Sequence, residues 1–168
     1  MAKLQAQLPY GLLLAQTAEL KLQDSLAVSA ISPSSDALDS LTLRTHFFPV
    51  LASGTSKELK LKNRLFYLAG KFTGQSHYDL LLLVEDKRKE DSTVLRTVYV
   101  VSTKKDGTYI ASLKAAMAGT KKKTNYQVQA WLYPGMIIRQ YSQLVANKAS
   151  MDDHAVYHVS NTGRFILE

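Results

Sequence analysis

The sequence predicts a mainly β (or α+β) fold: an antiparallel meander or sandwich of about seven or eight strands behind one or two N-terminal helices. Three observations carry this expectation. Short apolar runs rich in β-branched and aromatic residues recur through residues 59–168. The segments between them are turn sequences, among them Lys105-Asp106-Gly107, Pro134-Gly135 and Asn161-Thr162-Gly163. The best helix signals, by contrast, all lie before residue 50.

The N-terminal part opens with Leu8-Pro9-Tyr10-Gly11, read as a turn or extended arm because Pro and Gly both oppose helix. Residues 18–23 alternate strictly and suit an edge strand, although Thr17 and Asp24 are also acceptable caps, so the stretch to Ile31 stays open between strand and helix. After the punctuation of Ser32-Pro33-Ser34-Ser35, a helix is expected. Ser35 can cap it, Asp36 and Asp39 favour its positive end, and Leu38, Leu41, Thr45 and Phe48 lie at helical spacing. Pro49 then ends it. A loop at residues 52–56 separates this region from the sheet.

Candidate strands follow at residues 64–72, 78–85, 94–103, 108–116, 125–133, 136–145, 154–160 and 164–167. Residues 78–113 organise the rest. Their first run, Leu80-Leu81-Leu82-Leu83-Val84, is apolar on both parities, so both of its faces should be covered. In residues 125–133, Tyr126, Val128, Ala130 and Leu132 share one face while Gln127, Gln129 and Trp131 share the other. The mixed-sign run Glu85-Asp86-Lys87-Arg88-Lys89-Glu90-Asp91 reads as a solvated loop.

A chain of 168 residues fits a single domain, with an N-terminal arm and helical segment (1–58) and a β-meander (59–168). The net charge of +7 is uneven. Residues 1–58 carry four basic and five acidic side chains, and residues 59–168 carry seventeen and nine. The absence of cysteine excludes disulfides, thiolate nucleophiles and cysteine-held zinc or iron–sulfur clusters. No run approaches the roughly 18 apolar residues of a membrane helix. Pro9 and Gly11 break the only segment placed like a signal peptide, leaving a cytoplasmic protein or a mature chain whose leader has been removed.

Several stretches resemble a set of uncharacterised exported proteins of Bacteroidetes-type bacteria, often lipid-anchored. They are Leu8-Pro9-Tyr10, Ile31-Ser32-Pro33, Phe66-Tyr67-Leu68-Ala69-Gly70-Lys71, the run at 80–84, Asp106-Gly107-Thr108-Tyr109-Ile110 and the closing residues 157–165. The resemblance implies a periplasmic or cell-surface location and brings no catalytic residues.

Candidate sites are few. Tyr99, Tyr126, Trp131 and Tyr133 could line a ligand face, set against the ordinary role of such residues in cross-strand packing. Lys121, Lys122 and Lys123, with Lys104 and Lys105, are the densest positive charge and the candidate anion site. Lysines also crowd hairpin ends to solubilise turns, and a strand of about eight residues should place the two groups at opposite ends of the sheet. His154 and His158 invite a metal reading, but at strand spacing they stand about 13 Å apart and cannot share an ion. No nucleophile elbow, phosphate loop or convergent carboxylate pair occurs, so no cofactor is expected. The reading is a non-enzymatic binding or interaction module with a protein or glycan partner. Its alternatives are an anionic-polymer binder, with nucleic acid the weaker choice, and a small hydrolase with a non-standard site.

Overall fold

The structure, a computed structural model, describes residues 9–32, 36–52 and 60–168. Short elements come first: α1 (Tyr10–Ala15), β1 (Leu26–Ala27), a 3-10 turn (Val28–Ala30), α2 (Ser40–His46) and α3 (Phe48–Leu51). The meander follows as β2 (Arg64–Phe72), β3 (Asp79–Lys89), β4 (Ser92–Thr103), β5 (Tyr109–Lys121), β6 (Thr124–Tyr133), β7 (Ile137–Ala146), β8 (Ala149–Val159) and β9 (Phe165–Leu167). β2 to β9 pair in sequence order within one antiparallel sheet, and β1 joins against β6.

That sheet is strongly curled, and uneven pairing is the reason. β5 follows β4 for most of its length but meets β6 only where residues 117–121 face residues 124–128. Beyond that point β6 leaves β5, and β1 takes the vacated lane with Leu26 opposite Leu132 and Ala27 opposite Trp131. Val28, fully buried, fills the wedge. The carbonyls that β6 abandons are satisfied from further round the curl. Gln140 Nε2 donates to the carbonyl oxygens of Lys114 and Ala115 at 2.9 and 2.8 Å. The Ser102 hydroxyl donates to the carbonyl oxygen of Gly163, which seats the β8–β9 hairpin over the start of β5.

The expectation for the run at 80–84 holds. Leu80, Leu82 and Val84 point into the curl against Val98, Val100, Ala130, Leu132 and Ile138. Leu81 and Leu83 point the other way, into a second core with Leu13, Leu43, Phe47 and Leu51 of the helical segment. All five residues of the run are fully buried. The helices therefore cover one side of β3 and the far half of its own sheet covers the other.

Several local expectations change. Pro9 does not keep its neighbourhood extended: it occupies the N-cap of α1, where its fixed φ of −59° suits a helix start and its missing N–H costs nothing. Pro49 likewise lies in the first turn of α3, so the chain breaks at Phe47 and re-enters helix instead of stopping. Asp39 provides the cap of α2, its Oδ1 accepting from the Thr42 N–H at 2.7 Å, while Ser35 falls outside the described residues, as does most of the loop at 52–56. Residues 18–23 form no strand beyond a parallel bridge between Glu19 and Lys71. Main-chain bonds from Ala18 and Leu20 to Lys71 still hold them against β2. Leu20 sits where Gly70 has no side chain: a Cβ there would lie 2.2 Å from Leu20 Cδ1.

A further change concerns the mixed-sign run. β3 extends through it to Lys89, with Glu85 and Asp86 buried at 7% and 6% exposure. Cross-strand pairing makes this tolerable. Arg64 of β2 reaches Glu85 at 2.6 Å, and Arg96 of β4 grips Asp86 through two bonds of 2.6 and 2.7 Å.

Because the two faces of β3 belong to separate cores, Leu81→Ala and Leu82→Ala should each destabilise the protein by ~2–5 kcal/mol in urea unfolding. A small cost at one position alone would mean that the corresponding covering layer is loose.

Candidate functional site

Alternation along three strands builds one continuous outer face. On β6 the outward parity carries Gln127, Gln129, Trp131 and Tyr133. Strand register then sets Arg139 and Val156 beside Trp131, and Ile137 and His158 beside Tyr133. Tyr141 and His154 stand beside Gln129, and Gln143 and Asp152 beside Gln127. The Arg139 guanidinium lies 5.3 Å from the centroid of the Tyr133 ring. The Tyr141 and His154 rings meet at 4.8 Å, tilted by 50°. Trp131, Tyr133 and Tyr141 are half-buried and belong to neither hydrophobic core.

The four aromatic residues singled out in the sequence are thus divided. Trp131 and Tyr133 share the platform. Tyr126 points to the opposite face, in register with Leu144 and Met151. Tyr99 is 9% exposed on the helical side of β4, packed with Phe66 and Leu83. Sequence reasoning did not join Arg139, Tyr141 and His154 to the platform. The signal was available in the Pro134-Gly135 hairpin, which fixes the β6–β7 register and hence which parities align.

The lysines divide as the spacing predicts. Lys104 and Lys105 occupy the β4–β5 hairpin, and Lys121, Lys122 and Lys123 the β5–β6 turn, with the length of β5 between them. Lys104 and Lys105 border a cleft of about 750 Å³ together with His77, Ile110, Thr162 and Arg164. Lys105 is committed elsewhere, its Nζ donating to Asp79 Oδ1 at 2.6 Å and to the Thr73 carbonyl oxygen at 2.9 Å. His154 and His158 lie four residues apart on β8, as expected for a strand. Among the described residues no group of three or more His, Asp or Glu side chains gathers as a metal site.

The buried carboxylates are structural in their contacts. Asp79 Oδ2 accepts from the Tyr10 hydroxyl at 2.9 Å, and that hydroxyl also meets Thr103 Oγ1 at 2.6 Å. The Tyr10 ring presses on Gly107, whose φ of +92° and bare Cα leave room for it. Asp79, Glu85 and Asp86 each have a cation from an adjacent strand or turn, and no nucleophile is set beside a general base among these groups.

No known protein family, no curated protein and no solved structure matches the chain.

Burial pushes the phenols of Tyr10 and Tyr99 well above the ordinary value of 10.0, and Asp79 and Glu85 respectively add to the shift. With folded values raised, the protonated phenols stabilise the fold fully below about pH 10, and that contribution is lost as pH rises beyond it. Tyr99 has no hydrogen bond to lose among the described residues. Tyr99→Phe should therefore unfold at nearly the wild-type urea midpoint near pH 8, and resist the alkaline decline better than wild type near pH 11.

Proposed function

We propose that the chain is a non-enzymatic binding module that presents the outer face of β6, β7 and β8 to a glycan. The observation that carries this reading is the platform of Trp131, Tyr133 and Tyr141, in register and outside both cores. Rings two residues apart on one strand stand about 6.6–6.8 Å apart, and rings on neighbouring strands about 4.8 Å. The negatively polarised faces of such rings attract the positively polarised C–H faces of a sugar.

The surroundings of the platform favour a glycan over a protein. Trp, Tyr and Arg are also the residues of protein-interface hot spots, but those are sealed by a ring of contacts that exclude water. Here the flanking positions are Gln127, Gln129, Gln143 and Asp152, whose amide and carboxylate groups match sugar hydroxyls as donors and acceptors. The proposal includes a periplasmic or cell-surface setting, which the resemblance to exported bacterial proteins supports and which fractionation of producing cells tests.

Trp131 is the single tryptophan of the chain, so its fluorescence reports on the platform directly. Titration with neutral oligosaccharides, and affinity electrophoresis in gels containing soluble polysaccharides, should give saturable binding with a shift in Trp131 emission. Trp131→Ala should weaken retardation at least tenfold, as the loss of a stacking anchor does. Retardation that survives Trp131→Ala and Tyr141→Ala together would move the ligand site off this face.

A further inference from the structure

The helical layer covers only part of its side of the sheet. On β3 the stripe that packs under the helices as Leu81 and Leu83 continues outward as Glu85 and Lys87. On β2 the stripe of Phe66 and Leu68 continues as Arg64. Where the helices stop, past Leu51, this surface becomes a cleft of about 450 Å³. Thr97 and Tyr99 of β4 line it, and Lys60, Lys62, Lys87, Lys114 and Lys121 surround it.

The charges there are unbalanced. Glu85 is the one carboxylate among the lining residues, and Arg64 holds it through Nε and Nη2 at 3.1 and 2.6 Å. The five lysine ammonium groups have no ion-pair or hydrogen-bond partner among the described residues. Solubilising a hairpin end does not account for Lys114, which lies in the middle of β5. Thr97 and Tyr99 add a second observation. They are 3% and 9% exposed, they border the cleft, and neither hydroxyl has a hydrogen-bond partner among the described residues. Neither oxygen is among the sealed, unpaired polar atoms of the described residues, so both reach the solvent of the cleft and are open to a ligand. Converging cations around unpaired donors form the complement of an oxyanion.

We propose that this cleft binds a compact phosphorylated small molecule with at least two phosphate groups. The lysines would hold the phosphates, Thr97 and Tyr99 would donate to their oxygens, and Leu95 and Met117 would receive the organic part. The cleft volume falls within the roughly 300–1,000 Å³ of small-molecule sites. A polymer fits less well. The next cations, Lys104 and Lys105, lie at the far end of β5, and Tyr99 is too buried to offer a face for a base to stack on. The site is on the opposite side of the fold's layers from the Trp131 platform and stands independently of it.

Metal-free ATP and inorganic pyrophosphate are the probes, read by isothermal titration calorimetry near physiological salt. Saturable one-to-one binding of either is expected. The double variant Lys87→Glu/Lys114→Glu should weaken it at least tenfold, whereas Lys104→Glu/Lys148→Glu, exposed positions outside the cleft with the same change in net charge, should leave it within twofold. Thr97→Val/Tyr99→Phe alters no charge and should weaken binding several-fold, which keeps the test decisive if the double glutamate variant fails to fold. Three results overturn the proposal. One is no saturable binding up to millimolar probe. Another is equal loss in both charge-reversal variants, which signals diffuse attraction. The third is tighter binding of single-stranded DNA with a steep salt dependence, which assigns the lysines to a polymer.

Discussion

Enclosing β3 on both faces dictates what every neighbouring segment must supply. A strand with no wet side has to find partners for all its polar atoms inside the protein, and β3 carries Asp79 at its start and Glu85 and Asp86 near its end. An unpaired buried carboxylate costs far more than a hydrogen bond returns. Each of the three therefore has its own cation from an adjacent element: Arg64 from β2, Arg96 from β4 and Lys105 from the β4–β5 hairpin. The cations remain partly in solvent, so these pairs contribute little attraction for their short distances. Their value is positional. A slip of either neighbouring strand by one residue would strand a carboxylate as well as turn the leucines to the wrong faces.

The curl answers the same constraint from the other side. Leu80, Leu82 and Val84 need an apolar cover that the short helices, already spent on Leu81 and Leu83, cannot provide. The sheet provides it by separating β5 from β6 halfway along and folding its later strands back over the earlier ones. Separation leaves main-chain groups without partners, and the repairs come from scattered positions: two residues of β1, the amide of Gln140 and the hydroxyl of Ser102.

Strand existence was legible in the sequence because alternation and turn chemistry act locally. The predicted span of 64–72 coincides with β2, and the turns at Lys105-Asp106-Gly107, Pro134-Gly135 and Asn161-Thr162-Gly163 fall where expected, whereas β8 begins at Ala149, five residues before the predicted strand at 154–160. What was not legible depends on which residues meet across the sheet. Glu85 and Asp86 look solvated when read along the chain, and only the register with Arg64 and Arg96 makes them buried. Pro9 and Pro49 oppose helix in general but suit its first turn, a distinction that position alone decides. Tyr99 and Trp131 belong to similar-looking strands, yet one lies under the helical layer and the other on an outer face. The platform, likewise, exists only as an alignment of three strands, so its full membership could not be read from any one of them.

The way the N-terminal segment is attached has a kinetic consequence. Within the meander each strand pairs with the next in sequence, so hairpins can form with short loops to close. The N-terminal segment works differently. Tyr10 reaches across 69 positions to Asp79 and across 93 to Thr103, and Ala18, Leu20 and Leu38 donate or accept along the outer edge of β2. Closing such long loops is entropically costlier and slower. Without that segment in place, β2 is paired on one side only, and its other edge is a free template for another chain. The docked segment thus does more than add core: it closes an edge that would otherwise be open to pairing between copies.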